Sequence, residues 1–151
     1  MGGIRKIERH EIPGLVPCAR MFSAEASLPG VFNADAFVGT LVALFDGGKW
    51  ICFVVMNEDG VTIDGTIAGI IYPDVTTGDS VCTEMFWFVK PENRGSMSSI
   101  KLLDSLESEA KRRGCARLAM TRICGMNDEK LADLYARRGL REFEINYIKD
   151  L

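Results

Sequence analysis

The spacing of apolar positions changes along the chain, and each change marks an element. Ile4–Arg9 is short and predicts a first strand. From Pro13 the apolar positions Leu15, Val16, Ala19, Met21 and Phe22 fall at helical spacing, and Pro29-Gly30 closes the stretch. Asn33 is a fit N-cap for a second helix through Phe37, Leu41, Leu44 and Phe45, ended by Gly47-Gly48. Three strand-like runs follow: Trp50–Met56, Thr66–Tyr72 and Ser80–Lys90. In the third, Met85-Phe86-Trp87-Phe88-Val89 is apolar on both faces, which predicts a central strand covered on both sides. Ile100, Leu103, Leu106 and Ala110 then recur on one helical face, with Leu102 beside them, until Gly114. Cys115–Thr121 predicts a strand, Asn127–Arg138 a helix and the alternating Phe143–Lys149 a last strand. The order β-α-α-β-β-β-α-β-α-β predicts a mixed α/β fold: one mixed sheet of about six strands with helices on both faces.

The length of 151 residues suits a single domain spanning 1–151, and 47% apolar residues suffice for a folded core. Apolar runs of about seven residues fall far short of the ~20 of a membrane helix, and the start carries no apolar targeting segment. The expectation is a cytoplasmic protein without a membrane partner. The net charge of −3 argues against a nucleic-acid partner. Residues 90–122, however, carry eight basic against four acidic side chains. Such a zone suits a small polyanion, and a solvated helix face accounts for it equally well.

Cys18, Cys52, Cys82, Cys115 and Cys124 are odd in number and form no C-x-x-C pair. They read as reduced thiols, not as a disulfide frame or a metal site. His10 is the only histidine, which excludes a multi-histidine metal centre, and it reads as a surface residue at a helix entry.

Chemistry concentrates between Val89 and Ile100. A buried strand runs through Lys90-Pro91-Glu92-Asn93-Arg94 into Gly95-Ser96-Met97-Ser98-Ser99 and then directly into a helix. Small residues let backbone approach a ligand, and the first N–H groups of a helix lack internal acceptors. With the helix dipole they form a site for phosphate or pyrophosphate, to which Arg94 adds a planar donor. A serine-capped helix after a turn explains the same residues. The pattern is neither a Walker A loop nor a dinucleotide fingerprint.

The segment resembles the GNAT acyltransferase superfamily of acyl-CoA-dependent N-acetyltransferases. Val89-Lys-Pro91-Glu-Asn-Arg94-Gly95 matches that family's V-x-P-x-x-R-G signature, which overlaps a pyrophosphate loop R/Q-x-x-G-x-G/A. Met97 and Ser99 depart from it, standing where the family has glycine. A second signature, N-x-x-A-x-x-L-Y-x-x-x-G-F, falls on Asp128, Leu131, Leu134, Tyr135, Gly139 and Leu140. The element order matches over nearly the whole chain. The end, Glu144 to Leu151, is similar to a branch found in phage and prophage genomes.

The resemblance implies an acetyl-CoA-dependent transfer to a primary amine. It places the pantetheine arm along the fourth strand at Trp87, Phe88 and Val89, and the pyrophosphate on Arg94, Gly95, Ser96, Met97, Ser98 and Ser99. Tyr135 is then the candidate general acid and Glu84 the candidate base, a carboxylate whose pKa the apolar strand should perturb. Asp128 is a candidate contact to the CoA arm or a helix cap. The two N-terminal helices would cover the acceptor site, although Phe22, Phe32 and Phe37 read first as core, as do Trp50, Phe86 and Trp87. A module of the same fold that binds CoA or a protein without catalysis is the alternative. The last strand, as an open edge, offers a route to a homodimer.

Overall fold

The computed structural model describes residues 2–151, apart from the side chain of Asp128. It divides into two compact units, Met1–Thr121 and Arg122–Leu151. The first holds a sheet whose strands lie in chain order: β1 (Ile4–Lys6), β2 (Trp50–Met56), β3 (Ile63–Pro73), β4 (Ser80–Val89) and β5 (Arg117–Ala119). The first four are antiparallel, and β5 runs parallel to β4.

Helices flank this sheet on both faces because β2 and β3 are apolar on both. A 3-10 turn (Arg9–Leu15), α1 (Val16–Glu25) and α2 (Ala34–Asp46) bury Ile12, Leu15, Cys18 and Leu41 in one cluster with Trp50, Cys52, Val54, Ala68 and Phe88. The alternate residues Ile51, Val55 and Ile67 are equally buried, and α3 (Ser98–Arg112) packs on β2 and β3 with Leu102, Leu103 and Leu106 fully enclosed. Asn33 caps α2 as its sequence position predicts, accepting the Ala36 N–H at 3.0 Å. Three buried free thiols, Cys18, Cys52 and Cys82, behave as small apolar residues, and Cys124 is exposed. His10 is exposed within the 3-10 turn. No described helix is long and apolar enough to cross a membrane, and no described cluster of His, Cys, Asp and Glu is built to hold a metal ion.

The second unit holds α4 (Asp128–Arg137). Gly139 at φ +82 ends it: the Leu140 N–H reaches the Tyr135 carbonyl at 2.9 Å and the Gly139 N–H that of Ala136 at 3.1 Å. Only glycine takes this left-handed position without strain, which explains the glycine of the second signature.

Two strand expectations need correction. Phe143–Lys149 does not form a strand, and its side chains are exposed, Phe143 at 82% and Tyr147 at 92%. Alternation alone does not make a strand, since each N–H and C=O needs a neighbouring backbone as partner. The open edges of the sheet are therefore β1 and β5, and not a sixth strand. β4 lies inside the sheet as expected but is not covered on both faces throughout, since Met85 is exposed and Phe86 and Trp87 are half-buried.

Candidate active site

The pairing of β4 with β5 ends at Thr83 and Ala119, which leaves a fork in the ladder at Glu84. Toward β3, β4 is paired from Ser80 to Val89, with a bulge at Met85. Toward β5, its edge has no strand partner from Glu84 onward. The Lys90 N–H donates to the Asp64 carbonyl at 2.9 Å, so Lys90 turns its backbone toward β3. Strand alternation turns the polar groups of Val89 and Trp87 to the open edge, and the Val89 carbonyl accepts from Arg94 Nε there at 2.8 Å. The result is a length of strand edge without a strand partner on that side.

Glu84 sits at the root of this fork and is 8% exposed. Burial pushes its carboxyl up to about 7, although Oε2 accepts the Thr121 N–H at 3.1 Å and that bond favours the charged form. The sequence-based expectation of a perturbed carboxyl thus has a physical basis: β4 carries Glu84 into an apolar layer with one donor residue to meet it. A carboxyl that titrates near neutrality can take a proton and release it again.

The turn beyond β4 is built as its composition suggests. Gly95 takes φ +83, a conformation that a side chain would strain. The Ser96 hydroxyl donates to the Asn93 carbonyl at 2.8 Å, and the Ser98 N–H reaches Ser96 Oγ at 3.4 Å. Met97 occupies the N-cap of α3 and offers no capping group. Beside the start of α3 lies a groove of about 510 Å³ whose walls include Gly2, Gly3, Ser96, Met97, Lys101 and the carboxylate-bearing Asp104. Met97 is 64% exposed in its wall. Ser99 stands in the first turn of α3, partly buried.

Arg94 differs from its expected part. Its two Nη atoms form a two-pronged pair with the Glu25 carboxylate, each at 2.7 Å, and its guanidinium lies 5.2 Å from the Phe88 ring centre. Arg94 therefore joins the turn to α1 and is not a free donor toward the groove. The basic zone as a whole is mostly paired: Lys90 with Asp64, Arg112 and Arg113 with Glu109, Lys111 with Glu107, Arg117 with Asp74 and Asp79. Lys101 is the basic side chain among the groove's lining residues. Sequence reading singled out neither Lys101 nor Glu25 nor Thr121. The i, i+3 step from Ser98 to Lys101 was the available signal for the first, and the other two had none.

Phe88 and Val89 are buried, and Trp87 is half-buried. Tyr135 lies half-buried on α4. Asp128 is the first residue of α4, but its side chain lies outside the described residues. Phe22, Phe37 and Phe86 pack against the core cluster, as the sequence reading expects, and together with Phe32 they also line a cavity of about 360 Å³ between α1, α2 and β4. Trp50 is core as expected, 5% exposed.

No family model matches the chain, and no curated protein sequence matches it. Solved structures do. A predicted acetyltransferase from Clostridium acetobutylicum, solved with acetyl-CoA, superposes with a TM-score of 0.80 at 17% identity, over 99% of this chain and 96% of that one. Glucosamine-6-phosphate N-acetyltransferase from Arabidopsis thaliana gives 0.76 at 17%, over 98% and 97%. An aminoglycoside acetyltransferase from an uncultured soil metagenomic sample, solved with sisomicin, gives 0.76 at 13%, over 99% and 95%. At these identities the likeness establishes architecture. The fork between β4 and β5, the small-residue turn into α3 and the superposition over nearly the full length agree on one conclusion: this chain has the GNAT acetyltransferase fold.

Proposed function

We propose that the protein is an N-acetyltransferase that moves an acetyl group from acetyl-CoA to a primary amine. The observation that carries this reading is Glu84, a buried carboxyl held near neutrality at the root of the fork between β4 and β5. A structural neighbour solved with acetyl-CoA supports the choice of donor.

The residues present fit that donor. The open edge of β4 offers the backbone groups of Trp87 and the Val89 N–H to an extended amide-bearing arm. The α3 amides and Lys101 offer an anion site at Ser96–Ser99. Met97 stands 64% exposed in the groove wall where the family has glycine. Acetyl-CoA supplies the reactive thioester.

Glu84 accepts the proton of the incoming ammonium, directly or through one water, and its pKa near 7 suits that exchange. A backbone N–H of the open β4 edge donates to the oxygen on which negative charge develops. Tyr135, by its place in the second signature, gives a proton to the departing sulfur, and its phenolate takes back the second proton that the nitrogen sheds on becoming the amide. The order is direct attack, with no covalent enzyme intermediate.

The test is acetyl-CoA-dependent thiol release across a panel of amines, together with thermal stabilisation by acetyl-CoA. Ligand at about 100 times Kd adds ~2.7 kcal/mol to a protein that binds it only when folded. Stabilisation with thiol release supports the enzyme. Stabilisation without turnover of any amine leaves a CoA-binding module, and no stabilisation at millimolar acetyl-CoA defeats both.

A further inference from the structure

We infer that the acceptor is a monoamine borne on an aromatic or branched apolar body of roughly one large side chain's size. This rests on the acetyl-transfer reading, and adds what that reading leaves open.

The cavity of about 360 Å³ decides it. Its walls come from α1, the loop between α1 and α2, α2 itself, and the stretch of β4 beyond the fork. The bulge at Met85 breaks the regular alternation of β4, and both Met85 and Phe86 line the cavity. With Phe22, Phe32, Phe37 and Phe88 they make a lining dominated by rings. Among the described residues no carboxylate lines it. Several polar atoms of its side chains are engaged elsewhere: the Asn33 amide oxygen caps α2, the Thr66 hydroxyl donates to the Phe53 carbonyl at 3.0 Å, and the Cys18 thiol approaches the Ile63 carbonyl. Ser23 also lines it.

Such a lining rewards apolar surface and penalises charge. A polyamine or aminosugar would bring several ammonium and hydroxyl groups to a cavity whose side chains offer few acceptors, and unpaired polar groups are expensive out of water. An aromatic body gains instead, by area and by edge-to-face contact with the phenyl rings. The rim points the same way. Val31 is 96% exposed and Leu28 and Met85 stand partly in water, all three at the cavity. Volume sets the limit, since about 360 Å³ is at the low end for small-molecule sites of 300–1,000 Å³. It admits one ring and a short chain. A free arylalkylamine and the N-terminus of a peptide beginning with an aromatic residue share this chemistry.

The experiment measures acetyl-CoA-dependent thiol release with 2-phenylethylamine, a tetrapeptide starting with Phe, the same peptide starting with Ser, spermidine and kanamycin. Acetyl-CoA binding is followed separately by calorimetry. The expected result is kcat/KM at least tenfold higher for 2-phenylethylamine or the Phe peptide than for the other three. The better of those two identifies the source. Ala36 lies on the exposed side of the lining, so Ala36→Trp fills the cavity without entering the core. It should raise KM for the preferred amine at least tenfold and leave acetyl-CoA affinity unchanged. Turnover of spermidine or kanamycin in preference to the aromatic amines overturns the inference and leaves the acetyltransferase standing. A normal KM in Ala36→Trp also overturns it. Failure to bind acetyl-CoA overturns the transfer reading itself, and the acceptor with it.

Discussion

Glu84 and Arg94 lie ten residues apart, and the structure gives them opposite characters. Glu84 is enclosed with one donor residue, so burial dominates and its carboxyl rises to about 7. If it is the base, kcat/KM rises with pH through about 7 and levels off above. Glu84→Gln keeps an oxygen for the Thr121 N–H but takes no proton, so kcat should fall about 10²-fold or more and the rise near pH 7 should vanish. A pH–rate profile of both proteins checks this, and an unchanged profile in the variant removes Glu84 from the base role. Arg94, in contrast, has its hydrogen bonds already directed to Glu25 and Val89. A half-exposed pair of this kind is worth about 0.2–1 kcal/mol, so Arg94→Ala and Glu25→Gln should each weaken acetyl-CoA binding only a few-fold. As partners in one contact their effects should not add in the double variant. Were Arg94 a phosphate ligand held back by Glu25, Glu25→Gln would tighten binding, and calorimetry separates the two outcomes.

At the scale of elements, the sequence disclosed what local pattern alone decides. The strand Trp50–Met56 emerges with the bounds its apolar run implies, and the Asn33 cap and the Gly139 stop lie where their side-chain chemistry demands. The turn from Val89 to Ser98 was legible for the same reason, because glycine and serine spell out backbone geometry. The fork was not. An apolar strand reads alike whether helices cover it or a cavity opens beside it, so the second part of Phe86, as a wall of the cavity as well as core, left no mark in the sequence. The pairing of Arg94 with Glu25, 69 positions away, leaves no local trace. The same holds for the junction of β1 and α3. There Glu109, nearly buried, accepts from Lys6 at 2.7 Å, from Arg112 at 2.7 and 2.8 Å and from Arg113 at 3.0 Å, while Arg113 also reaches the Gly48 carbonyl. Along the helix these residues look like an ordinary charged face. Together they fasten an edge strand of only three residues to α3. Charged hydrogen bonds of this type contribute about 1.5–3 kcal/mol, so Glu109→Ala should cost roughly that and lower the urea midpoint. An unchanged midpoint would mean that apolar packing alone seats β1.

Over the whole molecule the carboxyls divide into two sets whose effects on stability run in opposite directions with pH. Glu11, bonded to Arg5, and Asp74, bonded to Thr76, are held down to about 2, and Glu109 is lowered by Arg112 and its neighbours. A carboxyl lowered on folding binds fewer protons in the native state, so its contribution is complete above its unfolded value near 4.5 and is lost as pH falls toward 2. Glu84 works the other way. Raised from 4.5 to about 7, it holds its proton in the native state when the unfolded chain has released it, so stability declines as pH climbs through that window. The shift corresponds to about 3 kcal/mol, all of it lost above pH 7. Stability should therefore peak near pH 5, below the pH at which Glu84 becomes the anion that a base must be. The fold is weakened under the same conditions that ready its proposed base, as is common where a site must be strained to work. Glu84→Gln isolates the effect. In urea titrations it should match the wild-type protein near pH 4 and exceed it by up to about 3 kcal/mol at pH 8. A variant no more stable than wild type at pH 8 would mean that the native carboxyl is already charged at neutral pH, and the proposed proton exchange at the fork would lose its physical basis.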